Sequence, residues 1–557
     1  MAKFNKGPVK SATTSVIVTE NTPSGTGHQG GPGYLRGDAK SELFLLGVAN
    51  LVGEDTFYEG GGNRDTRYRE LIRKVAVEDP QWVVAFLTWL RGEGNMRSAP
   101  LVGAAEFVKA RLDHPTDMGV VRVGERPGFG GIYASDGLNR KVVAAVCQRA
   151  DEPGELLAYW ISNYGRNVPK PVKRGVADAA TRLYHEYSLL KYDTASHSVR
   201  FGDVIDLTHP SPRPDAARWQ GDLFAYALDR RHSREKDVPE SLGMIRANTA
   251  LRKQAEPQTW LDPQTLKAAG MTWEDALSAV GSKVDKAQLW AAMIPSMGYM
   301  ALLRNLRNFE QAGVSDAVLN GVAARLADAE QVKRSRQFPF RFLAAHQATG
   351  ASLRWGWPLE QALNASLANV PALDGCTLIL VDRSGSMWGP VSEKSGLNNA
   401  DTAALFGTAL ALRARKATLV QYDGAWSEIS LVKGASVLKT LEQFGGGGGT
   451  NTVGAVQANF VPGTHTRVVV LTDEQPGVFG GYYGVGYRMS ANADVFAPVP
   501  PHVPCYTWNL VGYQKGHAPS GGKNRHTFGG LTDASFRTIT LLEAGRNGTW
   551  PWENTAD

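Results

Sequence analysis

Asp382, Ser384 and Ser386 stand at alternate positions just past the apolar run Cys376-Thr-Leu-Ile-Leu-Val381, so one acid and two hydroxyls leave a strand end together. Oxygen donors of this kind suit a hard divalent cation; Mg²⁺ takes near-octahedral oxygen ligation and usually keeps some of its water. A polar turn that caps a helix uses the same residue types, so the triplet alone leaves both readings open. Two further features favour the metal. The run Val468 to Thr472 ends in a second acid, Asp473, and the glycines Gly445 to Gly449 deliver Thr450 to the opening of a helix. Asp382, Ser384, Ser386, Thr450 and Asp473 then converge. Both carboxylates would bind the ion directly or through water, and one coordination position would stay open for a partner's acid.

Such donors need a scaffold that brings strand ends together. From about residue 370 strands alternate with helices. Cys376 to Val381, Thr418 to Tyr422, Ser427 to Val432, Arg467 to Thr472 and Cys505 to Val511 read as strands; Ala400 to Lys416, Val437 to Phe444, Thr452 to Ala458 and Asp533 to Ala544 read as helices. This pattern predicts a doubly wound α/β domain over 370–557, whose ligands sit beyond the carboxyl ends of its parallel strands. A phosphate-cradling loop would need Gly-Lys-Ser/Thr, but Gly449 is followed by Thr450-Asn451-Thr452. Ser384 and Ser386 lack a base nearby in sequence and a Gly-x-Ser-x-Gly frame, so nucleophilic catalysis is not indicated.

Ahead of this domain the pattern is helical for some 330 residues. Asp79-Pro80 supplies a cap and a first turn, and Trp82, Val83, Phe86, Leu87 and Leu90 follow at helical spacing until Gly92. Similar short segments recur up to Ala368, which predicts stacked antiparallel helix pairs over 34–369. The stretch 211–267, rich in Pro, Arg, Asp and Glu, reads as an irregular excursion. Residues 1–33, mostly Thr, Ser, Gly and Pro, read as a flexible tail.

Composition sets outer bounds. Of 557 residues, 43% are hydrophobic and 20% charged, which points to a soluble globular protein. The formal charge is +6, and the excess lies wholly before residue 366, where 46 Lys and Arg face 40 Asp and Glu. That favours an anionic partner for the helical part. Cys147, Cys376 and Cys505 form no Cys-x-x-Cys pair, so neither a zinc knuckle nor a disulfide framework is expected. No apolar run approaches the roughly 18 residues of a membrane span, and a cytoplasmic protein is expected.

Asp-x-Ser-x-Ser, Gly-Gly-Thr-Asn-Thr and Leu-Thr-Asp, in that order, resemble the von Willebrand factor A domain and its metal-ion-dependent adhesion site. The resemblance carries Asp382, Ser384, Ser386, Thr450 and Asp473 onto the five ligand positions, with Arg383 and Glu474 beside them altering the local charge. Arg97 to Leu101, Ile294 to Leu306 and Phe338-Pro339-Phe340-Arg341-Phe342 resemble landmarks of the TROVE module. A TROVE module running into an A domain resembles the Ro ribonucleoprotein autoantigen family. This resemblance implies a HEAT-like helical-repeat ring closed by the A domain, with small noncoding Y-type RNA on its outer surface. Single-stranded ends of misfolded RNAs would enter its central hole, and the role implied is RNA quality control by a scaffold that is not an enzyme. A protein partner, such as an exoribonuclease, would be reached through the RNA or the adhesion site.

Clustered cations give this a physical form. Arg304 and Arg307 share a helix face; Lys170, Lys173 and Arg174 form another group, and Lys333, Arg334 and Arg336 a third. Each could neutralise phosphates without reading bases, and each could equally be a solvated face. The stretch from Lys191 to His209 resembles the segment with which the family grips its small RNA. It carries over Lys191 and His209, while the loop between them offers His197 and Arg200. The alternative is a metal-dependent protein-interaction scaffold that binds RNA incidentally.

Overall fold

The computed structural model describes residues 12–554 apart from 115–120, 124–131, 135, 235, 351, 368–369, 371, 391–396, 433–435, 478–493 and 532–536. From residue 39 to 366 the chain is a succession of helices. The first three are α1 (Ala39–Ala49), α2 (Gly61–Glu78) and α3 (Pro80–Gly92). The start of α3 follows its sequence signals: the Asp79 carboxylate accepts from the Trp82 N–H at 3.0 Å, and Pro80 occupies the first turn. Trp82, Val83, Phe86, Leu87 and Leu90 are buried, as their spacing predicted. Helices pack as neighbours: α2 on Ser98–Asp113, Leu138–Val146 on Lys170–Leu183, and Asp316–Ala327 on Leu353–Ser366. One short antiparallel hairpin, β3 (Val121–Val123) with β4 (Ile132–Ala134), interrupts them.

Two expectations need correction. Residues 211–267 are not an irregular excursion, because they hold the helices Ala217–Arg231, Gly243–Arg252 and Pro263–Ala268. Their apolar face is thin, with Leu223, Phe224 and Ala227 buried among Arg and Asp, and the charged residues hid the helical period. Residues 12–33 are not a flexible tail. β1 (Gly25–Thr26) pairs with β2 (Pro32–Leu35), and β2 pairs in turn with β10 (Lys515–Gly516). Ile17 is buried, and the Thr13 N–H donates to Asn524 Oδ1 at 3.3 Å. This segment is held chiefly by backbone hydrogen bonds, which leave no hydrophobic pattern to read. Residues 1–11 lie outside the described residues.

The α/β domain has one six-stranded sheet in the order β11 (Arg525–Gly529), β9 (Cys505–Asn509), β8 (Arg467–Thr472), β5 (Cys376–Asp382), β6 (Lys416–Tyr422) and β7 (Trp426–Glu428). All neighbours are parallel except the edge strand β7. Alternation along β5 sorts the two faces. Ile379 and Val381 meet the helix Asn399–Arg413, and Leu378 and Leu380 meet Thr452–Asn459. Helices therefore cover both faces, as a doubly wound domain requires.

Both ends of the helical array rest on this domain. At the near end α1 packs on β11, and Gly512, with φ 79°, lets the loop after β9 touch α1; a Cβ there would lie 2.7 Å from the Leu45 carbonyl oxygen. Arg64, on α2, is fully buried and donates to Asn50 Oδ1 at 3.1 Å, to the Ala49 carbonyl at 3.0 Å and to the Val511 carbonyl. Trp550 and Trp552 stack on each other, lie tilted against Phe44 and meet Trp82 edge to face. At the far end Pro339–Ala348 packs on Asn399–Arg413, and Glu360 accepts from Ser436 Oγ at 2.7 Å and the Val437 N–H at 2.8 Å. The helical array and the α/β domain thus form a closed circuit. Replacing Arg64 with Leu strands the Val511 and Ala49 carbonyls and Asn50, and should lower stability by about 3 kcal/mol, read as an earlier urea unfolding midpoint.

Candidate metal centre and basic surfaces

The carboxyl ends of β5 and β8 lie side by side, so Asp382 and Asp473 are brought together by strand pairing alone. Asp382 is held at both oxygens: the Ser384 N–H donates to Oδ1 at 2.9 Å and the Thr472 hydroxyl to Oδ2 at 2.6 Å. Ser384 Oγ and Ser386 Oγ are 3.4 Å apart. The Gly385 N–H donates to the Gly448 carbonyl at 2.8 Å, tying the glycine loop to the two serines. That approach needs glycine, since a Cβ on Gly446, whose φ is 108°, would lie 2.7 Å from Arg383 Cβ. Thr450, two residues past Gly448, is buried, and its carbonyl accepts from the Gly477 N–H at 2.8 Å, four residues past Asp473. The five expected donors lie on adjoining strand ends and loops, and none is more than 3% exposed.

Electrostatics single out the two acids. Burial raises the Asp382 carboxyl above its usual range; burial, then the charge of Asp382, raises Asp473. Thr450 Oγ1 and Asp473 Oδ2, both buried, have no hydrogen-bond partner among the described residues. Two buried acids and hydroxyl oxygens with lone pairs to spare suit a hard divalent ion. The neighbouring charges do not fill that role. Burial disfavours the charge on Glu474, yet Arg36 and His517 overcome this and hold its carboxyl below the ordinary range. Arg383 donates to the Gly445 carbonyl at 2.8 Å, lies 3.4 Å from Asp401 and stacks over Trp388. Both charges beside the ligands are thus compensated locally.

The expected RNA contacts divide into free and committed groups. Lys170 and Arg174 are exposed and Lys173 half-buried on the helix Lys170–Leu183, with no carboxylate partner among the described residues. Lys191 is exposed, and its ammonium lies 5.1 Å from the Tyr192 ring and 5.7 Å from the Tyr187 ring. His197 is half-buried, and His209 is exposed as the left-handed C-cap of Phe201–Thr208, with φ 49°. Arg304 and Arg307 are exposed on Tyr299–Gln311, again without a carboxylate partner among the described residues.

Arg200 differs from the expectation. Its guanidinium pairs at 2.6 Å with Asp193, a carboxylate whose side chain is 1% exposed, and Arg230 reaches the same acid at 3.2 Å. Arg200 also precedes the helix Phe201–Thr208, where its N–H donates to Asp203 at 2.8 Å. Its charge is spent on folding, and no local pattern signals that a buried acid seven residues away will claim it. Arg336 likewise bonds Gln148 Oε1 at 2.9 Å, bridging distant helices. Sequence reading did not single out Tyr187, whose ring lies 5.7 Å from the Lys191 ammonium, or the role of Arg341, whose pKa burial and then the like charge of Arg304 lower. Arg200→Ala should cost about 1–3 kcal/mol in urea denaturation, whereas Lys191→Ala should stay within about 0.5 kcal/mol.

Comparison with known proteins agrees with this architecture. The TROVE domain family matches residues 266–374, which include two of the three sequence landmarks. Telomerase protein component 1 of Mus musculus is 43% identical over 79 residues, 14% of this chain and 3% of that protein. The Rattus norvegicus protein is 42% identical over the same length and shares. The chain thus covers about 3% of the length of these curated relatives. The crystal structure of the Deinococcus radiodurans Ro (RSR) protein has a TM-score of 0.57, covering 91% of this chain and 99% of that one at 17% identity, a likeness of fold. This chain therefore shares a TROVE domain match over residues 266–374 and a likeness of overall fold with the Ro protein.

Proposed function

We propose that this protein is an RNA-binding ring that serves as a ribonucleoprotein scaffold. Small noncoding Y-type RNA would lie on its outer surface, and single-stranded ends of misfolded RNAs would enter its central hole. The observation that carries this reading is a contrast among cations. Arg67, Arg73, Arg91, Arg97, Arg111 and Arg140 are matched to carboxylates, whereas Lys170, Lys173, Arg174, Lys191, Arg304 and Arg307 have no carboxylate partner among the described residues. Unmatched positive charge on one array suits a phosphate backbone, and Tyr187 and Tyr192 beside Lys191 add ring faces on which unpaired bases can stack.

Binding of this kind is dominated by counterion release. The triple charge reversal Lys191→Glu, Arg304→Glu, Arg307→Glu should weaken binding of a single-stranded RNA by at least about tenfold. It should also flatten the log–log salt dependence by about 2, since each lost phosphate contact removes ~0.7 from the slope. A gel-shift series across salt concentrations measures both. Unchanged affinity and slope would remove these residues from the RNA surface.

In the α/β domain we assign Asp382, Ser384, Ser386, Thr450 and Asp473 as donors to one divalent cation of the Mg²⁺ type. Such an ion supplies positive charge to two buried acids and an open coordination position for an oxygen ligand. Added MgCl₂ should raise thermal stability of the chain by linkage, about 2.7 kcal/mol at a hundredfold excess over Kd. Asp382→Ala and Thr450→Val should abolish that response, which differential scanning calorimetry would read directly. No helix among the described residues is long and apolar enough to cross a membrane.

A further inference from the structure

The metal centre has an unusual surround for a site expected to hold an outside partner. Its five donors lie between 0% and 3% exposed, so something already covers the carboxyl ends of β5 and β8. The cover comes from elsewhere in the chain. The loop between α1 and α2 places Phe57 beside Gly389, three residues past Ser386: a Cβ on Gly389 would lie 3.7 Å from the Phe57 backbone nitrogen. Burial, and then the nearby carboxylates of Asp473 and Asp382, raise the pKa of the next residue, Tyr58, whose hydroxyl lies close to Gln29 and Ser386. Its backbone N–H donates to the Tyr513 hydroxyl at 3.2 Å.

The N-terminal strap approaches from the other side. The His28 ring stacks on Tyr58 with centroids 4.7 Å apart and planes 6° from parallel. The His28 N–H donates to Gln475 Oε1 at 2.9 Å, while the Gln475 N–H donates to Asp473 Oδ1 at 3.0 Å. The Gly31 N–H donates to the Pro476 carbonyl at 3.0 Å, and the Gly477 N–H to the Thr450 carbonyl at 2.8 Å. A continuous chain of hydrogen bonds therefore joins the strap to two of the expected donors. One residue from the site, Arg36 of the strap region pairs with the buried Glu474.

We propose that the partner of this adhesion site is the chain itself: the α1–α2 loop, through Tyr58, and the N-terminal strap, through His28 and Gln29, form an internal lid over the cation. This rests on the metal assignment above. The first helices of the array and the strap are the elements that meet the α/β domain at the near end of the circuit, so cation binding and closure of the circuit are coupled. The coupling is reciprocal. What binds the ion steadies the lid, and what loosens the lid weakens the ion. An external acid reaches the site only after the lid opens, so the covered state disfavours an outside protein partner there.

Hydrogen–deuterium exchange on the full chain, with and without MgCl₂, tests the proposal. Amides in 24–35 and 53–60 should exchange at least about fivefold more slowly with Mg²⁺, with no change in Asp382→Ala and none at the remote helix Lys170–Leu183. Tyr58→Phe keeps the ring stack and removes the hydroxyl; it should weaken Mg²⁺ binding in calorimetric titration by about fivefold or more. If Mg²⁺ binds but exchange in both segments is unchanged, the lid is wrong and the metal assignment stands. If Mg²⁺ does not bind the unmodified chain, the metal assignment falls and the lid falls with it. The exchange comparison needs no variant, so a misfolded Tyr58→Phe protein would not rescue the proposal.

Discussion

Arg64 carries a positive charge inside the protein, where no water reaches it, and its hydrogen bonds reach both halves of the molecule: Asn50 and Ala49 on one side, Val511 on the other. Its Nε and Nη2 are met by these oxygens and its Nη1 lies 3.7 Å from Glu59, yet burial still lowers its pKa to about 10. The architecture depends on that junction. An array of helices that pack on their neighbours has two unfinished ends, and each exposes an apolar face unless something covers it. Here one α/β domain covers both, with α1 and α2 at one contact and Pro339–Ala348 and Leu353–Ser366 at the other.

The same junction organises the charges. Around the candidate metal centre Glu474 pairs with Arg36, and Arg383 lies beside Asp401. Asp382 and Asp473 have no cationic side chain paired with them among the described residues, and burial raises both carboxyls above the ordinary range. On the helical array the imbalance has the opposite sign. Exposed Lys and Arg without carboxylate partners among the described residues collect on Lys170–Leu183, around Lys191 and on Tyr299–Gln311, where screening by water makes unpaired charge inexpensive and a polyanion can exploit it. One chain thus keeps two acids inside and this positive charge outside.

Much of this is legible in the order of the amino acids alone. The caps and spacing of α3, the buried alternation of β5 and β8, and the order Asp-x-Ser-x-Ser, Thr450, Asp473 are local patterns with local causes. They hold in the fold because strand pairing and helix amphipathicity act over a few residues. The failures share a different cause. Residues 12–33 look unstructured because their order comes from backbone hydrogen bonds to partners nearly 500 residues away, and such bonds leave no trace in side-chain composition. Arg200 looks like an RNA contact because nothing in its neighbourhood announces that Asp193 will be buried.

By itself the sequence determined most of the helical array, the doubly wound sheet and the acids that end β5 and β8, since each follows from periodicity or from the end of a strand. Only tertiary structure decided that the array closes on the α/β domain, which cations stay free, and what stands over the donors. The physical reason is range. Periodicity is encoded within a turn or a strand, whereas burial of Arg64, pairing of Glu474 with Arg36 and the placement of Tyr58 against Ser386 need segments that meet only when the circuit closes. An adhesion motif read alone promises an open coordination position. The fold places residues of the chain's own beginning over it.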